Sequence, residues 1–167
     1  DLGRDVFSRL AYGGRVSLVV AILVTLGSAV VGVMIGLTAG YFRRVDGLLM
    51  RLMDGVMAFP GVLLAIAVVV SLGPQLRSVI VALTLVYVPV VARLIRSMTL
   101  AIRELPYIEA ARCIGLSDSR IMFRYILLNA LSPLTVQCAF IAAYAILAES
   151  SLSFLGASVD PETPTWG

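Results

Sequence analysis

The feature that most constrains this sequence is a long apolar segment without a charged residue, which runs from residue 16 to residue 42. A helix needs roughly 20 apolar residues to cross the hydrocarbon core of a bilayer, so this segment is long enough to span a membrane. Within it, Gly32, Gly36 and Gly40 recur at intervals of four residues. Small residues at that spacing allow a neighbouring helix to approach closely. The segment therefore predicts a transmembrane helix with one tightly packed face.

Three more apolar segments follow, and each is predicted as a membrane span. The four predicted spans cover residues 16–42, 55–76, 78–97 and 125–148. Pro60, Pro89 and Pro133 lie in the last three, where a proline removes a backbone donor and favours a kink. Because 60% of the residues are hydrophobic and 14% are charged, the composition excludes an ordinary soluble domain. We expect an all-α, polytopic membrane protein with about four transmembrane helices in a single domain, residues 1–167.

Polar segments flank and connect these spans. Residues 1–15 are amphipathic and predict either a helix in the membrane interface or an ordinary polar lead-in to the first span. Residues 41–54 predict a short polar loop. The segment that follows Glu149, at the outer end of the fourth span, predicts a loop or a short re-entrant piece.

The placement of arginine predicts the orientation of the chain. All thirteen basic residues are arginine. Most of them lie in two segments on one side of the membrane: Arg43, Arg44, Arg51, Arg93, Arg96, Arg103, Arg112, Arg120 and Arg124. The other side has Arg77 between spans, together with Arg4, Arg9 and Arg15 at the start. Basic residues are enriched in cytoplasmic loops, so the arginine-rich side is predicted to be cytoplasmic.

The stretch from Arg103 to Pro133, which begins between the third and fourth spans, is polar and predicts two short helices joined by a tight turn. Pro106 suits the first turn of the first helix, because the N–H that it lacks would be unpaired there. Gly115 suits a left-handed residue that ends this helix. Ser117 suits the N-cap of the next helix, with Asp118 near its positive end.

The first of these short helices is amphipathic. Its predicted apolar face has the spacing i, i+3, i+4, i+7 and consists of Tyr107, Ala110, Ala111 and Ile114. Glu109 and Arg112 lie on the opposite face, where they can form an ion pair. A helix of this length is not stable alone. The pattern by itself leaves two interpretations open, a helix–turn–helix on the membrane surface and a docking element for a partner protein.

Several chemistries are disfavoured by residues that the sequence lacks. Without lysine the chain cannot form a phosphate-binding P-loop, so we do not expect it to hydrolyse ATP or to be an enzyme. It contains no histidine, and Cys113 and Cys138 show no pattern of a disulfide or a metal site. No charged residue falls inside the apolar runs 16–42, 55–76, 78–92 and 125–148, which disfavours an ion-coupled transporter. We expect no cofactor, metal, catalytic residue or nucleic-acid partner in this chain.

Several segments resemble one protein family. Glu109-Ala110-Ala111, followed by Gly115, resembles the cytoplasmic "EAA" loop of ABC-importer permeases. Three other segments resemble the dipeptide, oligopeptide and nickel branch of those permeases, namely LGRDVFSRLAYGGRVSL, MRLMDGVMAFPGVLLAIAVVVSLGP and ILAESSLSFLGASVDPETPTWG. The similarity covers nearly the whole chain.

The resemblance implies a multi-pass protein of the bacterial inner membrane, and a fragment, truncated at both ends, of a six-helix type I importer permease. It implies a translocation path for peptides or a related small solute, with residues 98–124 as a coupling loop. The implied partners are a second permease subunit, cytoplasmic subunits that bind the ATP, an extracytoplasmic substrate-binding protein and the lipid bilayer. Dipeptides, oligopeptides and nickel chelates all remain open as cargo.

The candidate site residues come from the same resemblance. Those expected to couple the chain to an ATPase are Pro106, Tyr107, Glu109, Ala110, Ala111, Ile114 and Gly115. Those expected on a translocation path or gate are Pro60, Pro89, Pro133 and Glu149, although Glu149 is alternatively a solvated helix end. Two other functions stay open: a membrane scaffold whose arginine-rich loop binds anionic lipid, and a channel, for which the sequence shows no pore-lining polar rings.

Overall fold

The computed structural model describes residues 6–156, with side chains from residue 12 onward. Parts of two predicted segments, residues 1–15 and the piece after Glu149, lie outside the described residues. Within those residues the chain is helical and contains no strand, which confirms the all-α fold class. The elements in chain order are α1 (Val6–Tyr41), α2 (Arg43–Met57), α3 (Gly61–Leu72), α4 (Leu76–Ile102), α5 (Pro106–Cys113), α6 (Asp118–Arg120), a π-helical segment (Ile121–Ile126) and α7 (Leu127–Phe154).

Three stretches of the described helices are long and apolar enough to cross a membrane. They are Tyr12–Tyr41 in α1, Leu76–Ile102, which is α4, and Asp118–Phe154, in which α6, the π-helical segment and α7 run together. A fourth span is present if α2 and α3 are counted as one broken span. The structure thus agrees with a helical membrane protein of about four spans.

The predicted second span, residues 55–76, is divided in the structure. α2 ends at Met57, and α3 begins after Pro60 and ends where Gly73 adopts a φ of 90°. A proline lacks the backbone N–H and restricts the residue before it, so a helix rarely continues through it. α3 has 12 residues. That corresponds to about 18 Å, which is shorter than the roughly 30 Å of a hydrocarbon core.

The predicted polar loop at residues 41–54 is mostly helical, which corrects the sequence-based expectation. α1 and α2 are separated by Phe42 alone, whose backbone is extended at φ −101° and ψ 102°. Val45, Leu48 and Leu52 recur at helical spacing between the charged residues. That periodicity indicates a helix, although the polar composition favoured a loop.

The described chain forms two compact units. The first comprises residues 1–27, 59–86 and 139–167, as far as they are described. A Cβ atom added at Gly27 would lie 3.1 Å from the side chain of Thr84, so α1 and α4 pack closely here. Two polar side chains, Ser17 and Glu149, are fully buried in this unit. Its apolar core includes Val20, Val24, Val69, Leu83, Ile141 and Leu152.

The second unit comprises residues 28–58 and 87–138. It contains α2, α5, α6 and the π-helical segment, together with parts of the three long helices. Its core includes Leu37, Ala92, Ile95, Ile108, Ile121 and Ile126. Buried residues of α5 and of the π-helical segment belong to this core, so the short polar segment is part of a packed unit.

The predicted glycine stripe of α1 is confirmed as a packing surface. A Cβ atom at Gly32 would lie 2.5 Å from Val91 Cβ, and one at Gly36 would lie 2.6 Å from the carbonyl oxygen of Ala92. At Gly40 the nearest atom, a side-chain carbon of α4, would also be 2.6 Å away. These distances leave no room for a methyl group. The four-residue spacing therefore lets α1 and α4 approach each other closely in the second unit.

Candidate functional site

The site is built around α5, a helix of eight residues whose start is set by Pro106. Leu105 precedes it with an extended backbone, at φ −79° and ψ 143°. The residue before a proline disfavours the helical region, so the helix begins at the proline itself. This agrees with the prediction that Pro106 occupies the first turn.

The end of α5 is set by Gly115, as predicted. Gly115 has a φ of 78°, in the left-handed region. The N–H of Leu116 donates to the carbonyl of Ala111 at 3.1 Å, and the N–H of Gly115 donates to the carbonyl of Arg112 at 2.9 Å. These two bonds form a Schellman motif, which satisfies carbonyls that the end of a helix leaves unpaired. The glycine thus stops α5 after two turns.

The two faces of α5 differ from the predicted ones. Ile108 and Ala111 are buried, with exposed fractions of 0% and 4%, whereas Tyr107 and Ile114 are exposed at 42% and 76%. Ala110 is exposed as well. The predicted apolar face is therefore divided, because Ala111 packs inward beside Ile108 while the other three members face outward. A small apolar surface of Tyr107, Ala110 and Ile114 stays uncovered by the described chain.

Arg112 contacts an aromatic ring instead of Glu109. Its guanidinium carbon lies 5.4 Å from the centroid of the Tyr41 ring, at a distance typical of a cation–π contact. Among the ion pairs of the described residues, none joins Glu109 to Arg112. Glu109 is exposed on the outer side of α5. The predicted pair is therefore absent, and Arg112 instead contacts Tyr41 at the end of α1.

Tyr41 connects the end of α1 to the polar segment. Its hydroxyl donates to Asp118 Oδ1 at 2.7 Å. Asp118 stands in the first turn of α6, where a carboxylate is favourable next to the positive end of a helix. Ser117 is the N-cap by position, as predicted, but its side chain makes no capping bond. Through its ring and its hydroxyl, Tyr41 therefore touches both α5 and α6.

Arg103 lies in the turn between α4 and α5 and contacts the same end of α1. Its side chain is buried, and its Nη1 donates to the carbonyl oxygen of Gly40 at 2.7 Å. Its Nε donates to Glu104 Oε1 at 2.9 Å. The last carbonyls of a helix lack intrahelical partners, so a guanidinium is a suitable donor to them. α1, α4, α5 and α6 are thus joined around Tyr41.

The four residues predicted for a path or gate belong to different units. Pro60 and Glu149 are in the first unit, and Pro89 and Pro133 are in the second, inside α4 and α7. Glu149 is not a solvated helix end, because α7 continues to Phe154 and the exposed fraction of Glu149 is 0%. It accepts a hydrogen bond from the Ser17 hydroxyl at 3.1 Å.

Charged residues also lie inside helices long enough to span a membrane, contrary to the expectation from the apolar segments. Besides Glu149 in α7, Arg93 and Arg96 lie inside α4, and both pair with acidic residues of α2. Arg93 and Arg96 are paired and Glu149 is buried within the described chain.

Several residues of the site were missed from sequence. From sequence, Tyr41 was predicted only as part of a loop, and Arg103 only as part of the arginine distribution. An aromatic residue at the end of an apolar helix could have indicated the contacts of Tyr41. No local sequence pattern predicts the π-helical segment Ile121–Ile126. Its buried residues Ile121 and Ile126 help to form the core beneath α5.

Comparison with known proteins gives consistent matches. The family model described as binding-protein-dependent transport system inner membrane component matches residues 28–166. A Brucella suis protein named for a peptide transport system permease is 50% identical over 167 residues, covering 100% of this chain and 56% of the relative. The dipeptide transport system permease protein DppC of Alkalihalophilus pseudofirmus is 42% identical, covering 100% of this chain and 55% of the relative.

A third relative carries a different substrate in its name. The glutathione transport system permease protein GsiD of Pectobacterium atrosepticum is 42% identical over 168 residues, covering 100% of this chain and 56% of the relative. The chain thus spans about half the length of these relatives.

Proposed function

Because this chain belongs to the family of binding-protein-dependent transport system inner membrane components, and is therefore part of a multi-pass inner-membrane protein, we propose that it forms part of the permease of an ATP-driven importer. In this proposal the ATP is bound by separate cytoplasmic subunits, and an extracytoplasmic binding protein delivers the substrate. A second permease subunit completes the translocation path. This chain contains no lysine and so cannot form a phosphate-binding P-loop, which supports the assignment of ATP hydrolysis to a partner.

The observation that carries the proposal is the division of α5 into an anchored face and an uncovered apolar face. Ile108 and Ala111 fix the helix to the core, while Tyr107, Ala110 and Ile114 point away from it. Ile114, with 76% of its surface exposed, is well placed to enter a groove of another protein. Central apolar residues of this kind carry much of the binding energy at interfaces. We assign this face, with Glu109 beside it, to contact with the ATPase subunit.

The contacts around Tyr41 supply a route by which movement of α5 would reach the membrane helices. Arg112 of α5 lies over the Tyr41 ring, and Asp118 of α6 accepts its hydroxyl. Arg103 ties the carbonyls at the same end of α1 to the start of the polar segment. A shift of α5 that keeps these contacts would therefore displace the end of α1.

For the cargo we propose a small peptide. The relatives named above are named as permeases for peptides, dipeptides and glutathione. No described residue of this chain is assigned to substrate contact by that similarity. Glu149 is buried against Ser17, which favours a role in holding α1 to α7 over a direct contact with cargo.

The test is recovery of the ATPase subunits with the complete protein. Ile114→Arg places a charge in the uncovered face of α5, and we expect the ATPase recovered by affinity purification to fall on the order of ten-fold. Ser119→Arg is the matched control. Ser119 is exposed on α6, so this substitution adds the same charge outside the uncovered face of α5. Equal recovery with both variants would refute the docking role of α5. Failure of the unaltered protein to recover any ATPase would favour a membrane scaffold.

A further inference from the structure

α2 is an amphipathic helix that the described chain covers on one side only. None of its 15 residues is buried. Leu48 and Leu52 have exposed fractions of 66% and 57%, and Val45 is exposed beside them. Residues three and four apart share a face of a helix, so these three form one apolar stripe, which we call the α2 stripe.

Both acidic residues of α2 form ion pairs within the second unit. Asp46 accepts two hydrogen bonds from Arg96 of α4, one of them at 2.6 Å from Nη2 to Oδ2. Asp54 accepts a hydrogen bond from Arg93, one helical turn earlier on α4. The negative charge of α2 is therefore turned toward α4 and neutralised there.

The basic residues of α2 are left facing outward. Arg44 and Arg51 are exposed and seven residues apart, so they lie on nearly the same flank, about 20° apart around the helix axis. Leu48 lies between them in sequence, and the α2 stripe runs next to them. Arg43 is also exposed, and its contact with Glu104 is long, at 3.9 Å. The outward side of α2 thus presents Arg44 and Arg51 beside the apolar α2 stripe.

We propose that α2 lies in the cytoplasmic interface of the membrane and binds the headgroups of anionic phospholipids through Arg44 and Arg51. The α2 stripe would then sit at the boundary of the acyl chains, as is typical of interfacial helices with a basic flank. Guanidinium groups form paired hydrogen bonds with phosphate, which makes them well suited to such headgroups. Anionic lipid in the cytoplasmic leaflet attracts basic segments beside the membrane, and the distribution of arginine predicts that α2 lies on that side.

A second protein is the rival occupant of the α2 stripe, and two features favour lipid. First, the stripe contains three aliphatic residues and no aromatic anchor, whereas protein interfaces are enriched in aromatic residues. Second, the charge beside it has one sign only, because the acidic residues are engaged by α4. The positive charge beside the α2 stripe is complementary to a layer of anionic headgroups.

The first experiment measures phosphatidylglycerol bound to the complete purified protein by native mass spectrometry, at increasing lipid concentration. We expect the double variant Arg44→Gln and Arg51→Gln to bind on the order of ten-fold more weakly. The control is the double variant Arg120→Gln and Arg124→Gln, which removes the same charge from exposed positions outside α2. It should bind as the unaltered protein does. No loss in the first variant, or an equal loss in both, would overturn the proposal.

The second experiment identifies what covers the α2 stripe. A spin label is placed by Leu52→Cys, with Cys113 and Cys138 replaced by serine, and the protein is reconstituted in bilayers of phosphatidylcholine and phosphatidylglycerol. A label in lipid is accessible to oxygen and protected from a water-soluble nickel chelate, which is the result we expect. Protection from both reagents would show a protein occupant, and access to the chelate would show an aqueous surface. Either would overturn the proposal, and neither readout involves an ATPase or transport.

Discussion

Ser17 and Glu149 are 132 positions apart in the sequence, yet the Ser17 hydroxyl donates a hydrogen bond to Glu149 Oε2 at 3.1 Å and both side chains are fully buried. A carboxyl group removed from water is costly unless polar partners compensate it. The bond therefore joins α1 to α7 in the first unit at a point where a solitary carboxyl would be unfavourable.

Replacement of Ser17 by alanine should destabilise the protein. It removes a donor from a buried carboxyl, and losses of this kind cost about 1–3 kcal/mol. Thermal unfolding of the complete protein in detergent, followed by loss of monodisperse protein, would measure the change. Ser119→Ala serves as the control, because Ser119 is exposed and its hydroxyl makes only a 3.4 Å contact with Ser117. Equal unfolding temperatures for the two variants would contradict the importance of the bond.

Two glycine-to-alanine changes, one in the glycine stripe of α1 and one in α2, should have opposite effects on stability. In Gly36→Ala the new methyl group would lie 2.6 Å from the carbonyl oxygen of Ala92, so α1 and α4 must separate. We expect a loss of about 1–3 kcal/mol. Gly47→Ala places the same methyl group in open space within α2, and it should stabilise the helix by about 0.5–1 kcal/mol. The unfolding temperature should fall in the first variant and not in the second.

The left-handed conformation of Gly115 predicts a graded effect of substitution. Its φ of 78° is costly for a residue with a Cβ atom, by about 1–2 kcal/mol. Gly115→Ala should therefore loosen the end of α5, while Gly115→Asn should be milder because asparagine enters this region more readily. Hydrogen exchange of the amides of residues 111–116 would measure the loosening. Identical exchange in the alanine variant and the unaltered protein would contradict the prediction.

The hydroxyl and the ring of Tyr41 should make separable contributions. Tyr41→Phe keeps the ring under Arg112 and removes the hydroxyl that donates to Asp118, so we expect a loss of about 0.5–1.5 kcal/mol. Asp118→Asn should weaken the same bond. If the two groups act on each other, the loss in the double variant should be smaller than the sum of the single losses. Strictly additive losses in unfolding experiments would show that the bond contributes nothing measurable.

Local features of the fold were predictable from sequence because local residues determine them. The long charge-free segment predicts α1, the four-residue glycine spacing predicts its close contact with α4, and Pro106 and Gly115 define the two ends of α5. Each of these depends on backbone geometry or on composition within a few turns of helix.

Features that depend on distant partners were not predictable in the same way. Ile108 is buried through packing in the second unit, so the spacing of α5 residues alone gave the wrong inner face. Arg112 pairs with Tyr41, which is remote in sequence, and not with neighbouring Glu109. Glu149 looked solvated because Ser17, its partner, is 132 residues away. α2 was wrongly predicted as a loop because Asp46 and Asp54 pair with arginines of α4, which are remote in sequence.

The π-helical segment has a consequence for the phase of the helix that contains it. A π-helical turn closes its hydrogen bonds over five residues and not four, so it accommodates one residue more than an α-helical turn. One residue corresponds to about 100° of rotation around the axis. In a regular helix the side chains before Ile121 would point in other directions relative to those after Ile126. The π-helical turn rotates the two sets against each other by this angle. Deleting a single residue between them would restore regularity and swing Asp118 away from Tyr41, with little change in the helix's length.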